Sequence, residues 1–390
     1  MKPRRIIVLG YMASCPIAGV IWQHLHYLCG LKRLGHDVYY VEDTARYPYN
    51  PRTFNTTEDC SYALGTLRAL AETFDFKDRW VYSARFLDPP QIFGIELSRL
   101  RELYADADVT LNVCGAHELH EDLLRSKCLI YIESDPGFEQ IKIDQADDEA
   151  RRYLTHHHVL FTFGENIGSK LFPVPLHGFQ WLPTRQPIVI DFWKTSVSPA
   201  QGAIFTTVSN WSTRGQKDIA WQGNPHLWSK SENFVRFIQA AEITGRALEI
   251  ATDIKDPSTA ELFRNKGWRL TDPHGLSIDR EVYRQYIKQS RGEFTVSKDI
   301  YVRLNTGWFS DRSACYLAAG RPVITQETGF SCHYGRAQGL FGFSNLDDVR
   351  EAMSAINSDY AAHSRAAYEI AEEFFNAEKV ISSLLERSGV

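Results

Sequence analysis

The sequence predicts an α/β protein with two parallel sheets, each covered by helices on both faces. Short apolar runs alternate with helix-length intervals from residue 5 to residue 162, which is the rhythm of a parallel sheet buried on both faces. The same rhythm restarts at Ala203. Between the two series the helical pattern lapses and prolines gather at 173, 175, 183, 187 and 199, which marks a connection between domains.

In chain order, residues 5–9 form a near-continuous apolar strand. Residues 20–34 carry apolar side chains at helical spacing and stop at Gly35, and residues 38–41 form a second strand ending in Glu42-Asp43. Strand, helix, strand within about forty residues is a βαβ unit. Helices are expected at 62–73 and 97–105, and strands at 109–113, 128–132 and 159–162. The second series has strands at 203–208, 247–251, 292–296 and 322–325. Its helices are at 231–244, 278–289 and after Ser310, and a long amphipathic helical segment fills 347–385. No repeat of solenoid period and no low-complexity tract interrupts this plan.

At 390 residues the chain is too long for one ordinary core and fits two domains. A hydrophobic fraction of 44% with 23% charged residues is that of a folded, soluble protein. The net charge of −5 gives no basic footprint, so nucleic acid is not the expected partner. No apolar run approaches the ~18 residues of a membrane span, and Met1-Lys-Pro-Arg-Arg leads directly into a strand, so a cytoplasmic location is expected. The seven cysteines are odd in number, scattered and never in a CxxC pair, and read as reduced thiols.

The chemistry-bearing positions follow strands. In the second series Ser310 is a good N-cap; Asp311, Arg312 and Ser313 fill the first turn, Ala314 to Ala319 is helix-forming, and Gly320 ends the helix. Free N–H groups and the positive end of the dipole make that start a phosphate site, with Arg312 facing the anion. Lys298 follows the 292–296 strand, and Glu327, after the 322–325 strand, is placed to bind ribose or sugar hydroxyls. In the first series the loop after residue 9 runs from Gly10 to Gly19. It lacks GxGxxG, and Glu42-Asp43 lies too far on for a dinucleotide fingerprint, so NAD(P) is not expected. His117 follows the 109–113 strand as a candidate general base, and Asp135, after the 128–132 strand, is its rival. Consecutive His156, His157 and His158 cannot converge on one ion, and no Cys/His cluster has metal spacing. The several loop tryptophans, among them Trp211, Trp228 and Trp308, are candidate platforms for sugar rings or a base.

Ala318-Ala319-Gly320-Arg321-Pro322-Val323, running on from the short helix, resembles the donor-binding core of GT-B-fold glycosyltransferases. The resemblance implies two Rossmann-like domains facing across a cleft. Residues 1–183 would hold the acceptor, 184–200 link the halves, 201–365 hold the donor, and 366–390 cross back to the first domain. It further implies transfer of a sugar from a nucleotide-diphospho-sugar to a small-molecule or polymer acceptor, with no cofactor and no metal. Under it Gly10 lies in a loop facing the cleft, and Asn210, Trp211 and Arg214 stand where the family places diphosphate ligands. One departure stands out: the positions of the family's paired glutamates are Gly307 and Cys315. A nucleotide-sugar epimerase or hydrolase on the same fold, which needs no separate acceptor, is one alternative; a non-catalytic binding protein on the same shell, for which the missing pair argues, is the other. Base, sugar, acceptor, stereochemistry and oligomeric state are left open by the sequence.

Overall fold

A computed structural model describes residues 2–195, 198–200, 202–212, 218–335 and 338–390. Eight strands form the first sheet: β1 (Arg5–Leu9), β2 (Asp37–Glu42), β3 (Trp80–Ala84), β4 (Gln91–Gly94), β5 (Val109–Val113), β6 (Leu129–Glu133), β7 (Val159–Thr162) and β8 (Trp181–Pro183). Their order is β8-β7-β6-β5-β1-β2-β3-β4, parallel except for the β3–β4 edge hairpin. The second sheet has β9 (Phe205–Val208), β10 (Leu248–Ala251), β11 (Trp268–Thr271), β12 (Gly292–Thr295), β13 (Val323–Gln326) and β14 (Leu340–Phe343). It is wholly parallel, in the order β11-β10-β9-β12-β13-β14. The central strands β5 and β6 are buried at every residue, which is why they read as unbroken apolar runs.

Strand order reverses between β1 and β5 in the first sheet and between β9 and β12 in the second. The crevice beyond the carboxyl ends at such switch points is where open α/β sheets bind ligands. Helix α1 (Ala18–Arg33) follows β1, α2 (Asp299–Arg303) follows β12, α3 (Asp311–Ala318) leads into β13, and α4 (Ala377–Arg387) comes last. Lys32 and Arg33 in the last turn of α1 match its dipole. The chain's final helix, α4, packs along α1 of the first sheet.

The proline-rich connection is packed. Ile188, Val189, Ile190 and Trp193 are buried. Ile188 N–H donates to the Phe375 carbonyl, and Ala377 N–H donates to the Ile188 carbonyl. Val189 N–H lies 3.1 Å from His26 Nδ1 and the Trp193 indole N–H 3.1 Å from Nε2, and the ring nitrogen that carries no proton accepts one of them. One apolar core therefore runs from α1 through this connection to Phe309, α3 and Phe375.

Two helical expectations are corrected. The 231–244 segment is two short helices, Ser231–Arg236 and Ala240–Thr244. The 347–385 segment is several, because Asp359 and Asn376 turn their side chains onto the backbone N–H groups of Ala362 and Lys379 and start new helices. No helix among the described residues is long and apolar enough to cross a membrane.

Candidate active site

A cavity of about 1090 Å³ opens at the carboxyl ends of β5 and β6, with Tyr11, His117, Tyr131, Glu133, Asp135 and Trp228 in its wall. His117 is buried, and its Nε2 accepts the backbone N–H of Asp43 at 2.9 Å. Burial pushes its pKa down to about 3, so the ring is neutral and must carry its proton on Nδ1. Nδ1 has no partner among the described residues. The expectation of a base at His117 is corrected on that geometry: the free lone pair is occupied, and the ring presents an N–H donor. Asp43 is in turn fixed by Arg85 at 2.6 Å and His120 at 3.0 Å. Burial works against its charge, yet the bonds from His120 and Arg85 bring its carboxyl down to about 2.

Asp135 bridges the two halves. Its carboxylate receives Lys298 Nζ and the Tyr301 hydroxyl, both from the second half at the start of α2. Lys298 Nζ also sits 3.3 Å from the centroid of the Trp228 ring. Trp308 sends its indole N–H to the Ser134 carbonyl at 2.9 Å, so the two switch points face each other across a short gap. Of the loop tryptophans, Trp228 lines the cavity, Trp308 seals the joint, and Trp211 packs on Phe234 and Phe263 in the second core.

At the second switch point Ser310 occupies the N-cap position of α3 with no capping bond from its side chain, and the Ser313 hydroxyl is buried without a partner. Arg312 departs from expectation. It turns inward, with Nε 2.5 Å from Glu293, Nη1 2.8 Å from the Val208 carbonyl and Nη2 3.0 Å from Thr295 Oγ1. It neutralises a buried carboxylate and ties β9 to β12, which leaves it a poor phosphate ligand. Asp311, enclosed beside Arg312, Glu293 and Lys230, has its pKa raised by burial from the ordinary 3.8 to about 6. A charged carboxylate there would repel phosphate, so any contact from Asp311 would be through its backbone N–H at the start of α3. A raised folded pKa gives a stability contribution fully present below pH ~4 and lost as pH rises through ~6. Asp311→Asn is therefore expected to flatten the pH dependence of the unfolding free energy across that window, as read by urea denaturation; an unchanged slope contradicts this.

The cation the sequence reading missed is Lys230. It is 9% exposed, no carboxylate or hydrogen-bond acceptor meets its Nζ among the described residues, and the ammonium lies 5.8 Å from the Trp308 ring centroid. Burial, then the charges of Arg312 and Lys298, depress its pKa well below the usual lysine value. Its signal in the sequence, a lysine just after Trp228 in a loop, carries no periodicity that would single it out.

The remaining candidates are placed as follows. Glu327 accepts N–H groups of its own loop, from Thr328 at 3.1 Å and Gly329 at 2.7 Å, and the Ser331 hydroxyl. It builds the turn, and its expected role toward ribose is corrected to that. Asn210 is exposed at the end of β9, and Arg214 lies outside the described residues. The first loop is not an anion cradle. Its N–H groups at Ala13 and Ser14 are taken by the buried Glu42 carboxylate at 2.7 and 2.5 Å, and that of Met12 by the Tyr40 hydroxyl. Gly10 is small because a Cβ would stand 2.4 Å from His24 and 2.7 Å from Tyr40, so its expected place against the ligand is corrected to a packing role. No group of three or more His, Cys, Asp or Glu side chains among the described residues is arranged to hold a metal.

The absent glutamate pair has a physical cause. Gly307 has φ +76°, and a Cβ there would stand 2.8 Å from the Asn166 backbone nitrogen, where the first half closes onto the second. Cys315 is buried with its Sγ 4.0 Å from His26 Nε2.

No protein-family model matches the sequence, and no curated protein matches it. Solved structures do. An alpha-glucosyltransferase in complex with UDP and a mismatched 13-mer DNA superposes with a TM-score of 0.58 at 12% identity, over all of both chains. AviGT4, a glycosyltransferase of avilamycin A biosynthesis, gives 0.55 at 11% identity over 99% of this chain and 97% of its own. HepE of Anabaena, in complex with UDP and glucose, gives 0.51 at 10% identity over 98% and 99%. The fold shared along the whole chain with these glycosyltransferases is GT-B, two parallel-sheet halves meeting at their switch points.

Proposed function

We propose that the protein transfers a glycosyl group from a nucleotide-diphospho-sugar held by the second half to a hydroxyl of an acceptor in the β5–β6 cavity. The observation that carries this is Lys230, a buried amine with no anion on it among the described residues, set near Lys298 and the uncapped start of α3. A cation desolvated without a partner is costly, and a diphosphate supplies the missing charge. Two of the similar structures are complexes with UDP, which makes UDP-sugars the first donors to try.

In this reading the acceptor oxygen forms the new bond to the anomeric carbon, the bond to the diphosphate breaks, and the leaving charge is met by Lys230, Lys298 and the α3 N–H groups. Asp135 takes the acceptor's proton. Lys298 and Tyr301 hold that carboxylate in place, and diphosphate arrival gives Lys298 a second anion to share. His117 donates Nδ1–H to an acceptor oxygen and orients it.

The two roles separate in kinetics. Asp135→Asn is expected to lower turnover of a UDP-sugar by ~10²–10⁴, whereas His117→Ala raises KM for the acceptor more than it lowers kcat. Because His117 stays neutral far below pH 7, the pH–rate profile carries no limb of its own from this residue. Full turnover in Asp135→Asn, measured as nucleotide release, removes the base assignment.

A further inference from the structure

The cavity at β5 and β6 has a chemical character that narrows its occupant. Seven acidic residues line it, against the cations Arg46, Lys142 and Arg152. Lys142 is paired with Glu139 at 2.7 Å, while Glu118 and Glu149 are exposed at the cavity wall with no cation on them among the described residues. Deeper in, Glu133 is 2% exposed and among the described residues its carboxyl bonds only neutral donors, Gln140 Nε2 at 3.1 Å and Thr162 Oγ1 at 2.6 Å. A buried carboxyl without a counter-ion is unusual, since buried charges are normally paired. Burial accordingly pushes its pKa well above the ordinary carboxyl value.

The second observation is independent of charge. His117, 1% exposed, lines the same cavity, and its Nδ1–H meets no acceptor among the described residues. The strands that lead to His117 and Glu133 are adjacent, Cys114 N–H donating to the Ile132 carbonyl, and both residues come to the wall of the one cavity. Aromatic faces from Tyr11, Tyr131, Phe138 and Tyr153 complete the wall, the surface that sugar rings stack on.

We propose that this cavity takes a small, hydroxyl-rich acceptor carrying a protonated amine, of the amino-sugar or aminocyclitol class, with the ammonium met by Glu133 and the acidic rim and a hydroxyl oxygen met by His117 Nδ1–H. A ring of this kind brings the cation that Glu133 lacks and the acceptor that His117 lacks. A nucleic acid brings the opposite: its phosphates would face Glu118, Glu139, Asp147 and Glu149, and phosphate neutralisation by cations dominates DNA affinity. The amine stays protonated through transfer; the hydroxyl alone forms the new C–O bond, its proton passing to Asp135 as the nucleoside diphosphate leaves. This inference rests on the transfer reading above only in taking the cavity as the acceptor's.

The test is an NMR titration of the full chain, without donor, using methyl glucosaminide, methyl glucoside, methyl N-acetylglucosaminide and a short DNA duplex as probes. Methyl glucosaminide is expected to bind about tenfold or more tightly than the two neutral glycosides, as a charge-assisted bond provides. Glu133→Gln removes the preference, and Glu118→Gln/Glu149→Gln, which leaves the buried network intact, reduces it together with its salt sensitivity. Equal affinity for the amine and the neutral glycosides, no binding of methyl glucosaminide, or competition by DNA overturns the proposal. A UDP titration of the same samples separates the readings: UDP binding without amine preference sinks this inference alone, and amine preference without nucleotide binding sinks the donor reading alone.

Discussion

Arg312→Ala is expected to lower the unfolding free energy by ~3–5 kcal/mol, the cost of stranding one partner of a buried ion pair. The stranded group is Glu293, whose side chain is fully buried and also accepts from the Thr207 hydroxyl at 3.2 Å. Arg312 also closes onto the Val208 carbonyl and Thr295, so its loss loosens β9 against β12 where the site is built. Adding Glu293→Gln to the variant removes the stranded charge and should recover part of the loss. A phosphate ligand would behave otherwise, losing nucleotide affinity with stability little changed. Chemical denaturation of the single and double variants distinguishes the two, and a single-variant loss under ~1 kcal/mol would refute the structural role.

Lys230→Met should move stability and binding in opposite directions. Replacing a buried, unpartnered amine by an apolar side chain of similar length is expected to stabilise the ligand-free protein by ~1–2 kcal/mol. The same change should weaken nucleoside diphosphate binding ~10–100-fold, the worth of one charge-assisted bond. A residue that merely packs would give the first effect without the second. Calorimetric titration beside a melting curve checks both, and retained affinity in a stabilised variant removes Lys230 from the site.

The sequence discloses the central strands because burial on both faces writes them as unbroken apolar runs, as in VTLNV at β5 and LIYIE at β6. It conceals the edges. Gln91–Gly94 is a partly exposed antiparallel strand, and Trp268–Thr271 is buried only at Trp268, so neither carries a run that stands apart from its neighbours. The proline cluster at the connection is visible, but not that Val189 and Trp193 lean on His26, because that contact is long in sequence.

The site was legible to the level of strand ends and no further. Counting residues past β5 and β6 finds His117 and Asp135, because topology alone brings those ends to the crevice. What each side chain does there depends on who else arrives. His117 meets the Asp43 amide seventy-four positions away, and Asp135 meets Lys298 at a separation of 163. Arg312 reads as a helix-start cation facing a ligand, yet a buried glutamate two strands' length earlier claims it. Glu42 filling the first loop's N–H groups is equally invisible, since a carboxylate in that loop's place looks the same whether it turns in or out.

The gap between the two switch points is proposed as a nucleoside diphosphate site. Titrating the wild-type chain with UDP, GDP, ADP, TDP and CDP, read by thermal shift and confirmed by calorimetry, tests it most directly. At least one diphosphate is expected to raise the melting temperature in a saturable way, with the matching monophosphate markedly weaker because Lys230, Lys298 and the α3 start answer the second phosphate. No shift with any of the five, or equal shifts with mono- and diphosphate, would contradict it.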